Sequence, residues 1–275
     1  MPPSRPSRPI PTPPLAPRRS RPLRDPGELA EILRALPDAL AATRTLKAPA
    51  DGRSSVLALE TPLGPIIAKT IALDTPKRRI QAWLHRTQLD RQAGAAALLA
   101  RHGIPAAECL AILTGRDANK RRVRTLLARR VLGPTGLDLL RAGRVTKPLA
   151  QAAGRQVAAL ANLGLHDRDH KPSNLIVPEA EGDAPALVLI DPVGLRRRRP
   201  NPAAMLASLY LEPTGCGHEP SPHTRARVLR ACAQALRPPV PWRRLQREAA
   251  QIILHHGDPT PRDLPPLTDQ GRPSR

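Results

Sequence analysis

A polar segment in the second half of the chain places two aspartates, a lysine and an asparagine within a few positions of one another. It reads HDRDHKPSN over residues 166–174. Phosphoryl transfer from a nucleoside triphosphate needs a carboxylate that orients the attacking hydroxyl and oxygen ligands for the magnesium ions that hold the phosphates. We expect Asp169 to act on the acceptor hydroxyl and Asn174 to bind Mg²⁺. Lys171 is placed to neutralise charge on the transferred group.

The stretch that follows predicts a further carboxylate for the same site. Two short apolar runs, 175–177 and 187–190, favour a β-hairpin, and Asp191 ends the second run. Such a hairpin would return Asp191 to the polar segment, where its carboxylate would join Mg²⁺ to the phosphates of ATP. Each of these polar residues taken alone is more typical of a turn or a strand end. Their combination favours a catalytic site.

Lys69 is the candidate contact to the phosphates of ATP. It lies in the apolar run 66–71, which predicts a strand, although a lysine there is also typical of a protected strand edge. A helix predicted over 79–102 supplies the acid that would pair with Lys69, and Asp90 is the candidate. Gln92 follows it and this helix contains no glutamate, so a different partner for Lys69 also stays open.

A short turn, DGRSS over residues 51–55, is the candidate loop that covers the phosphates. Gly52 and Ser54 are its candidate contacts to the nucleotide. The turn has one glycine, and the chain contains no GxGxxG motif. A glycine-rich loop of the usual kind is therefore not predicted.

The order of the predicted elements indicates an α+β protein with two lobes. Short β-capable runs come first, and helical periodicity dominates later, as over 146–163 and 201–257. We expect a small antiparallel β N-lobe over about 40–133, a helical C-lobe over about 134–257, and a hinge near 131–134.

Both ends of the chain have the composition of disordered segments. Residues 1–26 contain ten prolines and six arginines, and such a stretch buries too little apolar surface to offset the entropy of ordering. We predict disordered tails over 1–26 and 258–275 that flank a folded domain over 27–257. We also expect residues 1–26 to be dispensable for ATP binding.

The charge of the chain favours an anionic partner. The 275 residues carry a formal net charge of +21, which attracts nucleotides and anionic lipid headgroups; an arginine-rich genome would give the same excess. Nucleic acid is not an expected partner, because aromatic residues make up 1% of the chain and single strands are bound by stacking on aromatic rings.

Cysteine usage and the absence of targeting patterns indicate the compartment. The three cysteines are Cys109, Cys216 and Cys232, and no CxxC pair is present, so neither a zinc site nor a disulfide framework is indicated. The chain has no apolar stretch of membrane-spanning length and no secretory signal pattern. We expect a cytoplasmic protein with peripheral contact at the inner face of an anionic membrane.

The polar segment resembles the catalytic loop of protein kinases, which runs H-R-D-L-x-x-x-N and is followed by D-F-G. This chain has Arg168 and Asp169, then four residues and Asn174, and later Asp191-x-x-Gly194. Asp167 stands where the kinase motif has its architectural histidine, and Pro192-Val193 replaces the usual pair after the metal-binding aspartate.

Over about residues 40–235 the sequence is similar to the bacterial lipopolysaccharide kinase (Kdo/WaaP) family. Residues 66–69 resemble the strand that carries the ATP-binding lysine, and residues 98–105 resemble the helix end and Gly-x-Pro turn of that family. The resemblance implies a two-lobed protein-kinase-like fold, ATP and Mg²⁺ as cofactors, and transfer to a hydroxyl of a sugar or lipid-linked sugar. An anionic glycolipid is the implied class of acceptor, with Arg196–Arg199 as candidate contacts to it.

Three alternatives stay open. Two are enzymes that use a similar loop: a protein serine/threonine kinase and an aminoglycoside-type small-molecule phosphotransferase. The third is a pseudokinase that serves as a binding scaffold, which the absent glycine-rich loop and the unassigned acid for Lys69 would favour. The complete set of Asp169, Asn174 and Asp191 favours an enzyme.

Overall fold

The computed structural model describes residues 9–49, 52–179 and 186–256. The chain divides into two compact units. Unit 1 comprises residues up to 97 together with 107–130, and unit 2 comprises 98–106 together with the chain from 131 onward. The boundary at residues 130 and 131 lies beside the predicted hinge at 131–134.

Unit 1 is built on one antiparallel sheet of six strands. The strands are β1 (Arg19–Pro22), β2 (Arg44–Lys47), β3 (Ser54–Thr61), β4 (Gly64–Ala72), β5 (Cys109–Arg116) and β6 (Arg122–Arg129). Their order across the sheet is β1-β5-β6-β4-β3-β2. The strand predicted over 66–71 is thus present as β4, which extends beyond the predicted run at both ends, to Gly64 and Ala72.

A helix covers the sheet of unit 1. α1 (Pro26–Ala41) places Leu29, Ile32 and Leu36 on one face, a spacing of three and four residues that forms a single stripe. This stripe packs against Leu57 and Leu59 of β3 in the main apolar cluster of the unit. Two more helices, α2 (Pro76–Trp83) and α3 (Gln88–Arg101), follow β4.

The N-terminal segment is part of unit 1, which corrects the prediction of a disordered tail for its described part. β1 pairs with β5 from Arg19 opposite Thr114 to Pro22 opposite Ala111. Upstream, the carbonyl of Pro11 accepts a hydrogen bond from the Ser55 hydroxyl. Proline-rich composition does not exclude an edge strand. Composition also gives no sign that β5 would be the edge of the sheet without β1 and can therefore pair with it. Residues 1–8 and 257–275 lie outside the described residues.

Unit 2 is mainly helical. Its helices are α4 (Gly136–Arg141), α5 (Lys147–Asn162), α6 (Pro202–Gly215), α7 (Pro222–Ala235) and α8 (Trp242–His256), and its strands are β7 (Leu165–Asp167), β8 (Leu175–Ile176), β9 (Val188–Leu189) and β10 (Leu195–Arg197). α5 packs along α7, and a Cβ at Gly154 would lie 2.2 Å from the Val228 carbonyl oxygen. Glycine therefore sets the close approach of these two helices.

Strands followed by helices give the α+β class that the sequence predicts. An apolar cavity of about 570 Å³ lies among α5, α6, α7 and α8, with Leu149, Leu206, Val228 and Trp242 among its lining residues. None of the helices in the described ranges is both long and apolar enough to cross a bilayer.

Candidate active site

The polar segment of unit 2 begins on a buried strand. β7 ends at Asp167, which has no exposed surface and whose backbone N–H points at the sulfur of Met205 on α6, 3.4 Å away. The Asp167 carboxylate then accepts a hydrogen bond from the backbone N–H of Asp169 at 3.2 Å. A buried side chain thus fixes the start of the loop, while the Asp169 side chain remains 37% exposed and accessible to a substrate.

Asn174 connects the loop to the hairpin that follows. Its side-chain amide donates to the backbone carbonyl of Asp169 at 2.9 Å. Its own backbone carbonyl accepts from the N–H of Ile190 at 3.0 Å, one residue before Asp191. A single asparagine therefore holds the segment that carries Asp169 and the segment that carries Asp191.

The hairpin has the predicted form. β8 pairs with β9 in antiparallel register, with Leu175 opposite Leu189. The chain leaves β9 at Asp191 and makes a short 3₁₀ turn, Pro192–Gly194. A Cβ at Gly194 would lie 2.9 Å from the Asp169 backbone nitrogen and 3.0 Å from its carboxylate. Within unit 2 the structure thus brings Asp169, Asn174 and Asp191 into one small region.

Glu212 of α6 is a residue of this region that the sequence did not reveal. Its carboxylate accepts hydrogen bonds from the Ser173 backbone N–H at 2.8 Å and from the Ser173 hydroxyl at 2.5 Å. It also forms an ion pair with Lys171 at 3.5 Å. The one available signal was an acid in an otherwise apolar helix, ASLYLEPTG. Lys171, predicted to face the transferred phosphate, has Glu212 as its counter-ion.

Two histidines flank the loop and are buried. His170 has no exposed surface and its Nδ1 lies 3.4 Å from the Asp167 carboxylate. His166 is 3% exposed, and burial, together with the nearby charge of Arg198, lowers its pKa below the usual 6.5. Neither ring is open to a substrate, so we interpret both histidines as structural.

Lys69 lies on β4 in unit 1, on the strand predicted for it. Its ammonium donates a hydrogen bond to the side-chain carbonyl of Gln92 on α3 at 3.3 Å. The helix that was expected to supply an acid thus supplies an amide as a partner. A neutral oxygen can orient an ammonium group but does not add an opposing charge.

Asp90 belongs to a different ion pair, which corrects the prediction that it serves Lys69. Its carboxylate lies 2.6 Å from Arg124 of β6, with both side chains almost fully buried. The other oxygen accepts from the backbone N–H and the hydroxyl of Thr87 at the start of α3. Burial acts to raise the Asp90 pKa, but the hydrogen bonds from Arg124 and Thr87 and the Arg124 charge outweigh it, so the pKa is lowered below 3.8.

The candidate phosphate loop is described in part, since Asp51 lies outside the described residues. Gly52 has φ of +59°, a conformation that glycine adopts at low cost, and its N–H donates to the Pro49 carbonyl at 2.9 Å. Ser54 is the first residue of β3, opposite Ile71 of β4. Both residues therefore sit where a turn passes into the strand that pairs with the Lys69 strand.

Asn174 and Asp191 suit a magnesium ion by their chemistry. Mg²⁺ prefers oxygen ligands and is commonly held by one or two protein side chains together with water and substrate phosphates. The described residues contain no group of three or more His, Cys, Asp or Glu side chains that could hold a metal by themselves. A carboxylate and an amide oxygen supplemented by nucleotide phosphates would match the magnesium pattern.

The comparisons with known proteins support the fold. No protein-family model and no curated protein matches the chain. A solved structure described as WaaP in complex with acyl carrier protein matches with a TM-score of 0.54 and 17% identity, over 86% of this chain and 95% of that one. A second, of WbdD with the kinase inhibitor LY294002, matches with a TM-score of 0.45 and 17% identity, over 72% of this chain and 43% of that one.

The likeness to WaaP extends over nearly the whole of both chains at low sequence identity. It confirms at the level of the fold the resemblance to the lipopolysaccharide kinase (Kdo/WaaP) family. The chain has a two-lobed, protein-kinase-like α+β fold.

Proposed function

We propose that the protein is an ATP- and Mg²⁺-dependent phosphotransferase of the lipopolysaccharide-kinase type, which phosphorylates a hydroxyl of a sugar or lipid-linked sugar. The observation that carries this proposal is the pair of hydrogen bonds made by Asn174. Its amide holds the carbonyl of Asp169 and its carbonyl holds the residue before Asp191. An arrangement of this kind fixes an acceptor-side carboxylate relative to a metal-side carboxylate, which phosphoryl transfer requires.

Each residue has one role in this proposal. Asp169 orients the acceptor hydroxyl and accepts its proton, while Asp191 and Asn174 hold the magnesium ion that ATP brings. Lys69 contacts the phosphates, and the turn with Gly52 and Ser54 covers them.

Lys171 contributes positive charge near the acceptor side of the loop, and its ammonium forms an ion pair with Glu212. The pairing fixes its ammonium in a defined place, and a preorganised charge stabilises developing negative charge better than a mobile one does. Arg168 adds a second cation, 3.5 Å from the Asp169 carboxylate.

An anionic glycolipid is the acceptor class that we propose. The run Arg196–Arg199 is exposed along its whole length and begins two residues after Gly194, which lies against Asp169. Arginine side chains bind phosphate and carboxylate groups through paired hydrogen bonds. With such an acceptor the protein would work in the cytoplasm at the inner face of the membrane, in peripheral contact with it.

Two other enzyme classes remain as alternatives, a protein serine/threonine kinase and an aminoglycoside-type phosphotransferase. A binding scaffold is the alternative from a different class. It is favoured by the absence of a GxGxxG motif from the chain, since protein kinases cover the ATP phosphates with a glycine-rich loop.

The test is a titration of the protein with a fluorescent ATP analogue, with and without Mg²⁺, followed by transfer of labelled phosphate to a panel of anionic glycolipids, sugars, aminoglycosides and a generic protein substrate. We expect Mg²⁺-dependent binding, and transfer to the glycolipids. Lys69→Met should weaken binding, whereas Lys47→Met, an exposed lysine on β2, should not. Mg²⁺-independent binding without transfer to any acceptor would favour the scaffold.

A further inference from the structure

The helix α2 of unit 1 exposes an unusual apolar stripe. Ile80 is 57% exposed, Trp83 69% and Leu84 44%. Trp83 is the last residue of α2, and Leu84 is its C-cap. The three positions are spaced by three and four residues, so they share one face of the helix.

This spacing is normally the mark of a buried face. Here the opposite side is inside, since Ala82 is 6% exposed. The chain contains two tryptophans, one tyrosine and no phenylalanine, so one of its three aromatic residues projects from the surface of α2. A cluster of exposed large apolar side chains is a feature of surfaces that bind a partner or a membrane.

The helix that carries the stripe is held in place by hydrogen bonds from its first turn. Arg78 donates from its guanidinium to the Ala72 carbonyl at 3.1 Å, and Arg79 donates to the Leu73 carbonyl at 3.0 Å. Thr75 caps the first turn by accepting from the Arg78 N–H. These bonds attach a short helix to the end of β4, so the exposed face is a fixed surface of unit 1.

The stripe lies in a strongly basic setting. Residues 76–86, PKRRIQAWLHR, include four Lys and Arg residues and no acid. Lys77 and Arg86 are exposed, and neither forms an ion pair with any residue of the described ranges. Lys77 precedes Ile80 by three positions and Arg86 follows Trp83 by three, so positive charge flanks the apolar stripe at both ends.

We propose that α2 and its flanking residues bind the surface of an anionic lipid bilayer. Ile80, Trp83 and Leu84 would enter the boundary between headgroups and acyl chains, where tryptophan is favoured because its ring is apolar and its N–H is polar. Lys77 and Arg86 would contact the anionic headgroups.

The charge distribution favours a bilayer over a second copy of the chain. In a symmetric dimer through this face, the basic residues of one copy would oppose those of the other, and like charges across an interface are unfavourable. An anionic bilayer offers the opposite charge together with an apolar layer beneath it. The proposal concerns a surface of unit 1 and does not depend on phosphotransfer.

The test is sedimentation of the full chain with vesicles of phosphatidylethanolamine and phosphatidylglycerol, compared with vesicles of phosphatidylcholine alone. We expect binding to the anionic vesicles and little to the neutral ones. Replacing the stripe with serine (Ile80→Ser, Trp83→Ser and Leu84→Ser) should lower the partition coefficient about tenfold or more, because apolar burial drives interfacial insertion. Lys77→Glu should lower it by several-fold at low salt.

Matched controls distinguish vesicle binding through this surface from nonspecific apolar or electrostatic binding elsewhere on the protein. Leu163→Ser removes an exposed leucine (38%), and Arg155→Glu reverses an exposed arginine of α5. Both should leave the partition coefficient within about twofold of the parent, because neither position flanks α2. Brominated lipids should quench the emission of Trp83 in a Trp242→Leu background, which leaves Trp83 as the one tryptophan.

Several outcomes would overturn the proposal. One is no binding of the parent protein to anionic vesicles. Another is equal binding by the parent and the stripe variant, which would assign membrane contact to charge elsewhere. A third is vesicle binding without quenching of Trp83 by brominated lipids. A fourth is a dimer of the parent protein that the stripe variant loses in the absence of vesicles, which would assign the stripe to self-association. Thermal unfolding of each variant confirms that it is folded.

Discussion

Glu212 accepts two hydrogen bonds from Ser173, one from the backbone N–H at 2.8 Å and one from the hydroxyl at 2.5 Å. Helix α6 thereby holds the polar segment between the proposed catalytic Asp169 and the proposed magnesium ligand Asn174. The same carboxylate positions Lys171.

Glu212→Ala should destabilise the protein by about 1–3 kcal/mol, because it leaves the buried donors of Ser173 without their acceptor. Urea unfolding measures the loss. Phosphate transfer should also fall while Mg²⁺-nucleotide affinity is kept, since the change lies on the acceptor side of the loop. The matched control is Glu219→Ala, an exposed acid paired with Arg225, which should cost less than about 1 kcal/mol. An unchanged urea unfolding midpoint for Glu212→Ala would contradict the inference that Glu212 holds the polar segment in place.

The two aspartates should differ in what their removal affects. Asp191→Asn should weaken Mg²⁺-dependent nucleotide binding, because a charge that holds the metal is lost. Asp169→Asn should leave nucleotide binding nearly intact and slow transfer by about 10²–10⁴-fold, because general-base assistance is lost. Nucleotide titrations with Mg²⁺ and turnover of the acceptor measure both effects. Loss of binding in Asp169→Asn but not in Asp191→Asn would reverse the roles, and unaffected transfer in both variants would refute the phosphotransferase proposal.

Gly194 should tolerate no side chain. A Cβ there would lie 2.7 Å from the Asp167 carboxylate and 2.9 Å from the Asp169 nitrogen, so Gly194→Ala should displace the loop, cost about 1–3 kcal/mol and slow transfer. Gly94→Ala is the control, because nothing lies within 4 Å of its added Cβ and alanine favours a helix interior by about 1 kcal/mol. Thermal unfolding and acceptor turnover of the two variants provide the comparison. Equal stability of both would show that the hairpin is looser than the structure indicates.

The N-terminal segment should contribute to the stability of unit 1. A chain that starts at Gly27 lacks β1 and the Pro11–Ser55 bond, and it should lose at least about 2 kcal/mol of unfolding free energy because several hydrogen bonds disappear. A chain that starts at Pro9 keeps the described contacts and is the control. Urea unfolding compares them, and equal midpoints would show that residues 9–26 add nothing to stability.

Asp90 should matter for stability more than an exposed acid does. Asp90→Asn leaves the buried Arg124 without its counter-ion, which typically costs about 3–5 kcal/mol. Because the pKa of Asp90 is lowered in the folded state, its contribution is present above about pH 3.8 and is lost as the pH falls below it. Unfolding free energies measured from pH 7 to pH 2 should therefore fall more steeply for the parent than for the variant.

Asp74→Asn is the control for this series, since Asp74 forms an exposed pair with Arg78 at 3.2 Å and exposed pairs contribute little. Parallel pH profiles for the parent and Asp90→Asn would show that Arg124 finds another partner.

Much of the polar segment over residues 166–174 and of the hairpin after it was predictable from the sequence, because the signal is local. Asp169 and Asn174 share one loop, and two apolar runs with Asp191 at their end specify a hairpin by themselves. The succession of strands and helices likewise determined the α+β class, since periodicity is a property of neighbouring residues.

The contacts that join distant parts of the chain could be identified only from the tertiary structure. Asp90 and Arg124 lie on a helix and on a strand separated by β5, and burial of both in one place made them partners. Gln92, on the same helix as Asp90, reached Lys69 instead. Glu212 meets Ser173 across 39 positions, and β1 joins β5 through a free sheet edge. Sequence periodicity reports which face of an element is apolar, whereas only packing of the assembled elements fixes which polar groups meet.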